Sequence, residues 1–430
     1  MPLDPIQLSL FEDDSPAPVK RAKADTSSTF VQNTKLPVHR WFRFSAGFSA
    51  TWAESVIRAA GATRVLDPFA GSGTTLLAAE DAGADALGVE AHPFIYRVAS
   101  AKLQRHTEPE EFLRLARKVR ATAAAREGSI GGYPSLVTRC FPSEVLEELD
   151  VLRGAVEDFR DDTGAWQLCW MALVGILRTC SPVGTAQWQY VLPKKEKKNS
   201  VGPFAAFDAM TSMIAADLRP FRSTSAQARV LEGDARELGG IPNDWADLVV
   251  TSPPYPNNYD YADATRLEMC FFREIDGWGD LQKSVRQYLV RACSQHVPER
   301  SIDLYEVLDA SELHPIRDPL TKVCEQLAEV RKTRGGKKTY HLMVACYFHD
   351  LARTWLALRR TCAPGARACF VIGDSAPYGV YVPVDEWLGE LALAAGFRSW
   401  TFERTRDRNV KWKNRKHRVP LCEGRLWVEG

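Results

Sequence analysis

The run Val65-Leu66-Asp67-Pro68-Phe69-Ala70-Gly71-Ser72-Gly73-Thr74-Thr75 constrains the fold more than any other stretch of the chain. A short apolar strand at 64–66 enters a turn with two glycines, and 74–82 has helical composition. The next strand is Ala86-Leu87-Gly88-Val89. Strand, crossover helix and strand in that order make a parallel pair, so the chain is expected to build an α/β fold on a mostly parallel central sheet. Such sheets bind ligands beyond the carboxyl ends of their strands. Gly71 and Gly73 let the backbone turn tightly and approach a ligand without a Cβ in the way, although a plain tight turn would use the same residues. The lysine of a phosphate-cradling loop is absent. Asp67 closes the strand instead, which favours a cationic or hydroxylated ligand.

Two more acids stand at strand ends. Glu90 follows the second strand, where a carboxylate can accept hydrogen bonds from ribose hydroxyls. The alternative is a solvated acid. Asp234 closes a third strand, 228–231, and is placed to accept a bond from an adenine amino group.

The strand 246–250 runs straight into Ser252-Pro253-Pro254-Tyr255. The prolines fix the backbone and remove amide donors, which frees carbonyls to point into a cavity. Ser252 adds an acceptor oxygen, and Tyr255 offers a flat face for stacking a base. This set suits methyl transfer to an exocyclic amine, whose lone pair is delocalised into its ring. Acceptors at Ser252 and the Pro253 carbonyl can bind the amine hydrogens and localise that lone pair. Positioning and electrostatics supply the rest. A Pro-Pro turn after a core strand is the bland reading of the same residues.

The strings DPFAGSGTT, GVEAHP and LEGDA, followed by SPPY, resemble the motifs of amino-group DNA methyltransferases. Phe44-Ser45-Ala46-Gly47-Phe48-Ser49 is loosely similar to that family's loop around the methionine end of the cofactor. Pro256-Asn257-Asn258-Tyr259-Asp260-Tyr261, then Arg266-Leu267-Glu268, is similar to a subgroup with N-x-x-D-Y and R-x-E segments. The resemblance implies a Rossmann-like methyltransferase fold with helical insertions. It implies S-adenosylmethionine held by Phe48, Asp67, Phe69, Gly71, Gly73, Glu90 and Asp234, with Ser252, Pro253, Pro254 and Tyr255 as the catalytic set. The substrate would be double-stranded DNA with its target base flipped out. Serine before the prolines points to N4 of cytosine, aspartate to N6 of adenine, and that contrast leaves the adenine enzyme as an alternative. An RNA amino-methyltransferase and a non-catalytic DNA-binding module are further alternatives.

The 430 residues are 45% hydrophobic with a net charge of +1, so no global field draws the chain to nucleic acid. Local basic stretches must do so. Candidates are Lys194 and Lys195, Arg334 and Lys337, and a segment with eight Lys/Arg against two acids between 401 and 420, which holds Arg406, Lys411, Trp412 and Arg415. The ten cysteines form no CxxC pair and no zinc spacing, which suggests reduced thiols, no metal and a cytoplasmic location, away from any membrane.

The expected organisation is a disordered tail at 1–34, a catalytic domain over 35–99 and 228–430, and a helical insertion at 100–227 that is the candidate target-recognition region. A second insertion spans 275–335. Helical stretches are expected near 109–126, 143–160 and 165–179. In the tail, Gln7-Leu8-Ser9-Leu10-Phe11 resembles the peptide by which bacterial proteins dock on the replicative sliding clamp. A restriction endonuclease is a further candidate partner.

Overall fold

The computed structural model describes residues 30–186, 190–197, 200–219, 225–297, 302–334, 338–408 and 419–430. Its strands are β1 (Arg64–Asp67), β2 (Asp85–Glu90), β3 (Val183–Thr185), β4 (Val191–Glu196), β5 (Ala228–Glu232), β6 (Ala246–Thr251), β7 (Cys362–Gly373), β8 (Ser399–Arg408) and β9 (Leu421–Glu429). Seven of them form one sheet in the order β5-β2-β1-β6-β7-β9-β8, while β3 and β4 make a separate ribbon. The first five pair in parallel, and β9 runs antiparallel to both β7 and β8. This is the mostly parallel sheet that the glycine turn predicts, in the Rossmann-like methyltransferase arrangement that the resemblance implies.

The strands read as continuous apolar runs because successive residues enter two different cores. Val65, Leu248, Val250, Cys369 and Val371 pack under the helices Ala50–Ala60 and Thr74–Ala82. Leu66, Val249, Ala368, Phe370 and Ile372 pack on the opposite face. There the helix Tyr340–Thr361 lies across the sheet, and Trp355 stacks on Phe370 with ring centroids 4.3 Å apart. From β1 the sheet grows outward to β2 and β5 on one side and to β6 and β7 on the other. That switch opens a crevice beyond the ends of β1 and β6, where such folds bind ligands.

Between β2 and β5 stand the helices Pro109–Ala124, Ser143–Asp158 and Gly164–Cys180. A fourth, Pro203–Leu218, begins with proline at its first turn, where no amide bond is lost. Together with Phe94, Val98, Leu267, Phe271, Leu281 and Leu289 they bury a third core. The described part of the second insertion divides between cores: Ile275, Leu281, Val285 and Leu289 join this helical core, while Val290, Val297, Leu308, Leu320 and Leu327 join the layer beneath Tyr340–Thr361. The buried Glu268 carboxylate takes Arg178 Nε at 2.5 Å and Nη2 at 3.0 Å, which ties the insertion to the helix following the Pro-Pro loop. All ten cysteines are free, and none but Cys422 is even partly exposed. No helix among the described residues is long and apolar enough to cross a membrane.

Candidate active site

Asp67 ends β1 fully buried, and its Oδ1 accepts from the Phe69 amide at 3.0 Å and the Thr251 hydroxyl at 2.5 Å. The carboxylate therefore pins the glycine loop to the end of β6. Burial pushes its pKa up to about 6, against the opposing hydrogen bonds from Thr251, Thr75 and Phe69. Gly71 and Gly73 hold φ of +51° and +85°, the left-handed region that glycine enters without penalty. At Gly71 a Cβ would also stand 2.9 Å from the Phe44 ring. The loop and the Phe44 segment are thus pressed together, which the loose match at 44–49 could only suggest.

Glu90, at the end of β2, accepts from the Gly71 amide at 2.7 Å through Oε2 and from the His92 amide at 2.8 Å through Oε1. A carboxylate has about four acceptor sites, so each oxygen keeps capacity for a further donor. Burial pushes this acid up to about 7. Asp234 is gripped by Arg236, whose backbone amide, Nε and Nη2 all reach the carboxylate within 2.9 Å. Arg236 also reaches the buried Asp350 at 3.3 Å, which binds β5's end to the long helix.

Part of this set borders a cleft beyond the ends of β1 and β6. Phe48, Phe69, Gly71, Glu90, Asp234, Ser252 and Pro254 line it, as do Phe44, Tyr259, Tyr261, Tyr288 and Val290. Asp67, Gly73 and Pro253 stand outside the lining. Among the described residues, the lining has two carboxylates and no lysine or arginine. Aromatic faces with two acids suit a ligand carrying positive charge and hydroxyl groups, and are unsuited to a phosphate. The donor set therefore fits S-adenosylmethionine, whose sulfonium is cationic and whose ribose has hydroxyls for Glu90.

Ser252 donates its hydroxyl hydrogen to the Val371 carbonyl at 3.1 Å, and its oxygen accepts from the Tyr255 hydroxyl, which leaves one lone pair for a further donor. Tyr255 is not in the lining and lies against the end of β7 instead. Burial pushes its phenol well above the ordinary tyrosine value, with Ser252 and Arg408 opposing the shift. The loop beyond it is cross-linked on several sides. Asn258 (φ +65°) accepts from Ser294 N at 2.9 Å and Oγ at 2.6 Å. Asp260 accepts from Arg286 Nη2 at 2.6 Å and from His296 Nε2 at 3.3 Å. The Asp260 carboxylate, Cys293 thiol and His296 imidazole lie within 4.8 Å of one another. Arg286 already supplies the cation that this carboxylate needs. The Asp260 amide donates to the Tyr190 hydroxyl at 3.0 Å, and the Tyr190 ring packs on Tyr259 with centroids 5.7 Å apart. Tyr190 opens onto β4, so the β3–β4 ribbon of the insertion is anchored directly on the loop after SPPY.

Of the basic candidates, Lys194 and Lys195 are exposed on that ribbon. Arg334 is exposed at the end of the helix Arg317–Thr333. Arg406 is taken by the buried Glu423, with both contacts at 2.9 Å, an arrangement that serves the sheet more directly than a ligand. Lys337, Lys411, Trp412 and Arg415, and the tail residues Gln7, Leu8, Leu10 and Phe11, lie outside the described residues. Sequence reasoning missed Tyr288 and Val290, which reach the cleft from an insertion with no recognisable motif. Arg408 is one of the eight cations of 401–420 that the sequence offers for nucleic acid, and nothing local distinguishes it from the others.

The fold and site are those of a Rossmann-like methyltransferase. Comparison with known proteins narrows this. The family described as DNA methylase, covering N6- and N4-directed enzymes, matches residues 26–101. The type II methyltransferase M.BsoBI of Geobacillus stearothermophilus is 24% identical over 415 residues, spanning 86% of this chain and 80% of its own. Type II methyltransferases M.AvaI of Nostoc sp. and Anabaena variabilis are each 24% identical over 402 residues, spanning 86% of this chain and 81% of theirs. No solved structure matched significantly. The matches support an amino-group DNA methyltransferase, a family that uses S-adenosylmethionine as methyl donor.

Proposed function

We propose that the chain is a type II DNA methyltransferase that methylates N4 of cytosine in a flipped-out base. The observation that carries this reading is the Ser252 hydroxyl. Its hydrogen goes to Val371 at 3.1 Å, so its oxygen keeps one acceptor lone pair on the wall of the acid-lined cleft after the bond to Tyr255. The cofactor supplies an electrophilic methyl group. Ser252 Oγ and the Pro253 carbonyl would accept the amine hydrogens and turn the nitrogen lone pair toward that methyl. Transfer to the nitrogen would release the methyl from the cofactor sulfur, and the amine's surplus proton would leave to solvent. Glu90 would hold the ribose hydroxyls, Phe48 and Phe69 would pack against the ligand, and Tyr255, just behind the lining, would hold Ser252 toward the base.

Recognition of the DNA site is assigned to 100–227, where Lys194 and Lys195 stand on a ribbon whose root touches the catalytic loop. A two-stranded ribbon has the width to enter a major groove. The relatives' type II designation supports a partner endonuclease of the same specificity. The Gln7–Phe11 peptide would add a sliding-clamp contact, which binding of a residue 1–15 peptide to a bacterial clamp would test, with Leu10→Ala and Phe11→Ala as controls.

The decisive assay is transfer of labelled methyl to DNA, followed by digestion and mass spectrometry. N4-methylcytosine is expected. N6-methyladenine alone would overturn the reading of Ser252, and absence of transfer to any DNA would overturn the function.

A further inference from the structure

The end of β7 organises three side chains in succession. Val371 O takes the Ser252 hydroxyl at 3.1 Å. Two residues on, Gly373 leaves space that no other residue could leave. A Cβ there would stand 2.6 Å from Arg408 Nη1, 3.2 Å from Arg408 Cδ and 3.2 Å from Tyr255 Cε2. At the next residue the Asp374 carbonyl accepts from Arg408 Nη1 at 2.6 Å. The Arg408 guanidinium is thereby held over the Tyr255 ring, 5.2 Å from its centroid. Arg408 is half-buried, and among the described residues no carboxylate pairs with it. Of the neighbouring acids, Glu423 is held by both ends of the Arg406 fork, and Asp374 turns its carboxylate to Cys422. The result is a guanidinium held over a tyrosine beside Ser252; among the described residues it pairs with no carboxylate, and it donates through Nη1 to the Asp374 carbonyl.

We infer that Arg408 binds a backbone phosphate of the target nucleotide while its planar face holds Tyr255 in register with Ser252. This rests on the proposed action on DNA. A base swung from the duplex carries its own phosphodiester to the mouth of the pocket. Arginine meets phosphate with a paired-donor geometry that lysine lacks. Arg408 is thus a positioning residue for Tyr255 and a binding residue for DNA, distinct from the groups that face the cofactor.

The test uses full-length protein and its DNA substrate, with steady-state methylation measured from low to high salt and cofactor affinity measured separately. Arg408→Ala should raise the KM for DNA by about tenfold or more and make the log–log salt slope shallower by about one, the effect of one lost phosphate contact. Cofactor affinity should stay unchanged. Arg408→Lys should restore the salt slope but leave kcat reduced, since an ammonium cannot lie flat on the ring. Gly373→Ala should mimic Arg408→Ala by displacing the guanidinium. If Arg408→Ala fails to bind cofactor, and so to fold, the Lys variant decides through its kcat and salt slope. Wild-type KM, kcat and salt slope in the Ala variant, or in the Lys variant where it must decide, would overturn the inference. Inactivity of the unmodified protein on all DNA would instead overturn the proposed function.

Discussion

Glu90 shows how one residue couples ligand chemistry to pH. Its ordinary value is 4.5, and burial in the folded chain raises it to about 7. Between those values the folded state binds more protons than the unfolded one, so the acid's contribution to stability is full below 4.5 and is lost as pH rises through 7. Asp67, raised to about 6, acts in the same sense. Ligand binding runs oppositely, because hydroxyl donors are held more strongly by the ionised carboxylate. Cofactor affinity is therefore expected to rise with pH through about 7, and cofactor-induced thermal stabilisation to grow over the same range. Glu90→Gln should weaken binding by about tenfold, in keeping with the loss of charged hydrogen bonds, and flatten the pH profile. Calorimetric titration from pH 5.5 to 8.5 checks both, and a pH-independent wild type would remove Glu90 from ligand contact. Ser252→Ala and Tyr255→Ala belong at the same scale. Each should lower kcat strongly, by about a hundredfold, with cofactor affinity within about twofold of wild type. Near-normal turnover in either variant would detach that residue from the reaction.

At the scale of elements, strands and helices with a strong pattern were legible. The helix at 74–82 occurs at the expected residues, and the helical stretches expected near 109–126, 143–160 and 165–179 are Pro109–Ala124, Ser143–Asp158 and Gly164–Cys180. Apolar runs between turn signals identify such elements because both faces of the sheet are covered. The β3–β4 ribbon had no such signal. Its strands are short, half-buried or exposed apart from Val183, and stabilised by contacts to a loop distant in sequence. The long helix matters as much as the sheet it covers, since Trp355 is fully buried against Phe370 and Phe397. Trp355→Ala should destabilise the protein by about 3–5 kcal/mol through lost burial and a cavity. Thermal or denaturant unfolding measures this, and a loss below about 1 kcal/mol would mean that the site repacks.

At the scale of the whole molecule, the helical insertion and the catalytic sheet share side chains. Phe94 and Val98 from the crossover after β2 pack with Leu168, Leu173 and Leu267 in one core. The Arg178–Glu268 pair crosses the same junction. Unfolding is therefore expected as one cooperative transition. Glu268→Ala leaves the Arg178 charge without its partner and should cost about 3–5 kcal/mol, again in a single step. Two separated transitions in calorimetry would show instead that the insertion folds independently.

The sequence by itself determined the α/β class, the strand ends that carry Asp67, Glu90, Asp234 and Ser252, and the glycine turn. These depend on local pattern and on backbone conformations that few residues adopt. Only the tertiary structure decided what those ends face. Asp67 lies behind the cleft wall and pins the loop to Thr251, while Asp234 is shared with Arg236. Arg406 is spent on Glu423, and Arg408, two residues further along β8, lies over Tyr255. Alternation along a strand sends residues two apart to the same face, so local pattern cannot tell Arg406 from Arg408. Their neighbours, Glu423 and Gly373, come from β9 and β7, and pairing across the sheet brings them there.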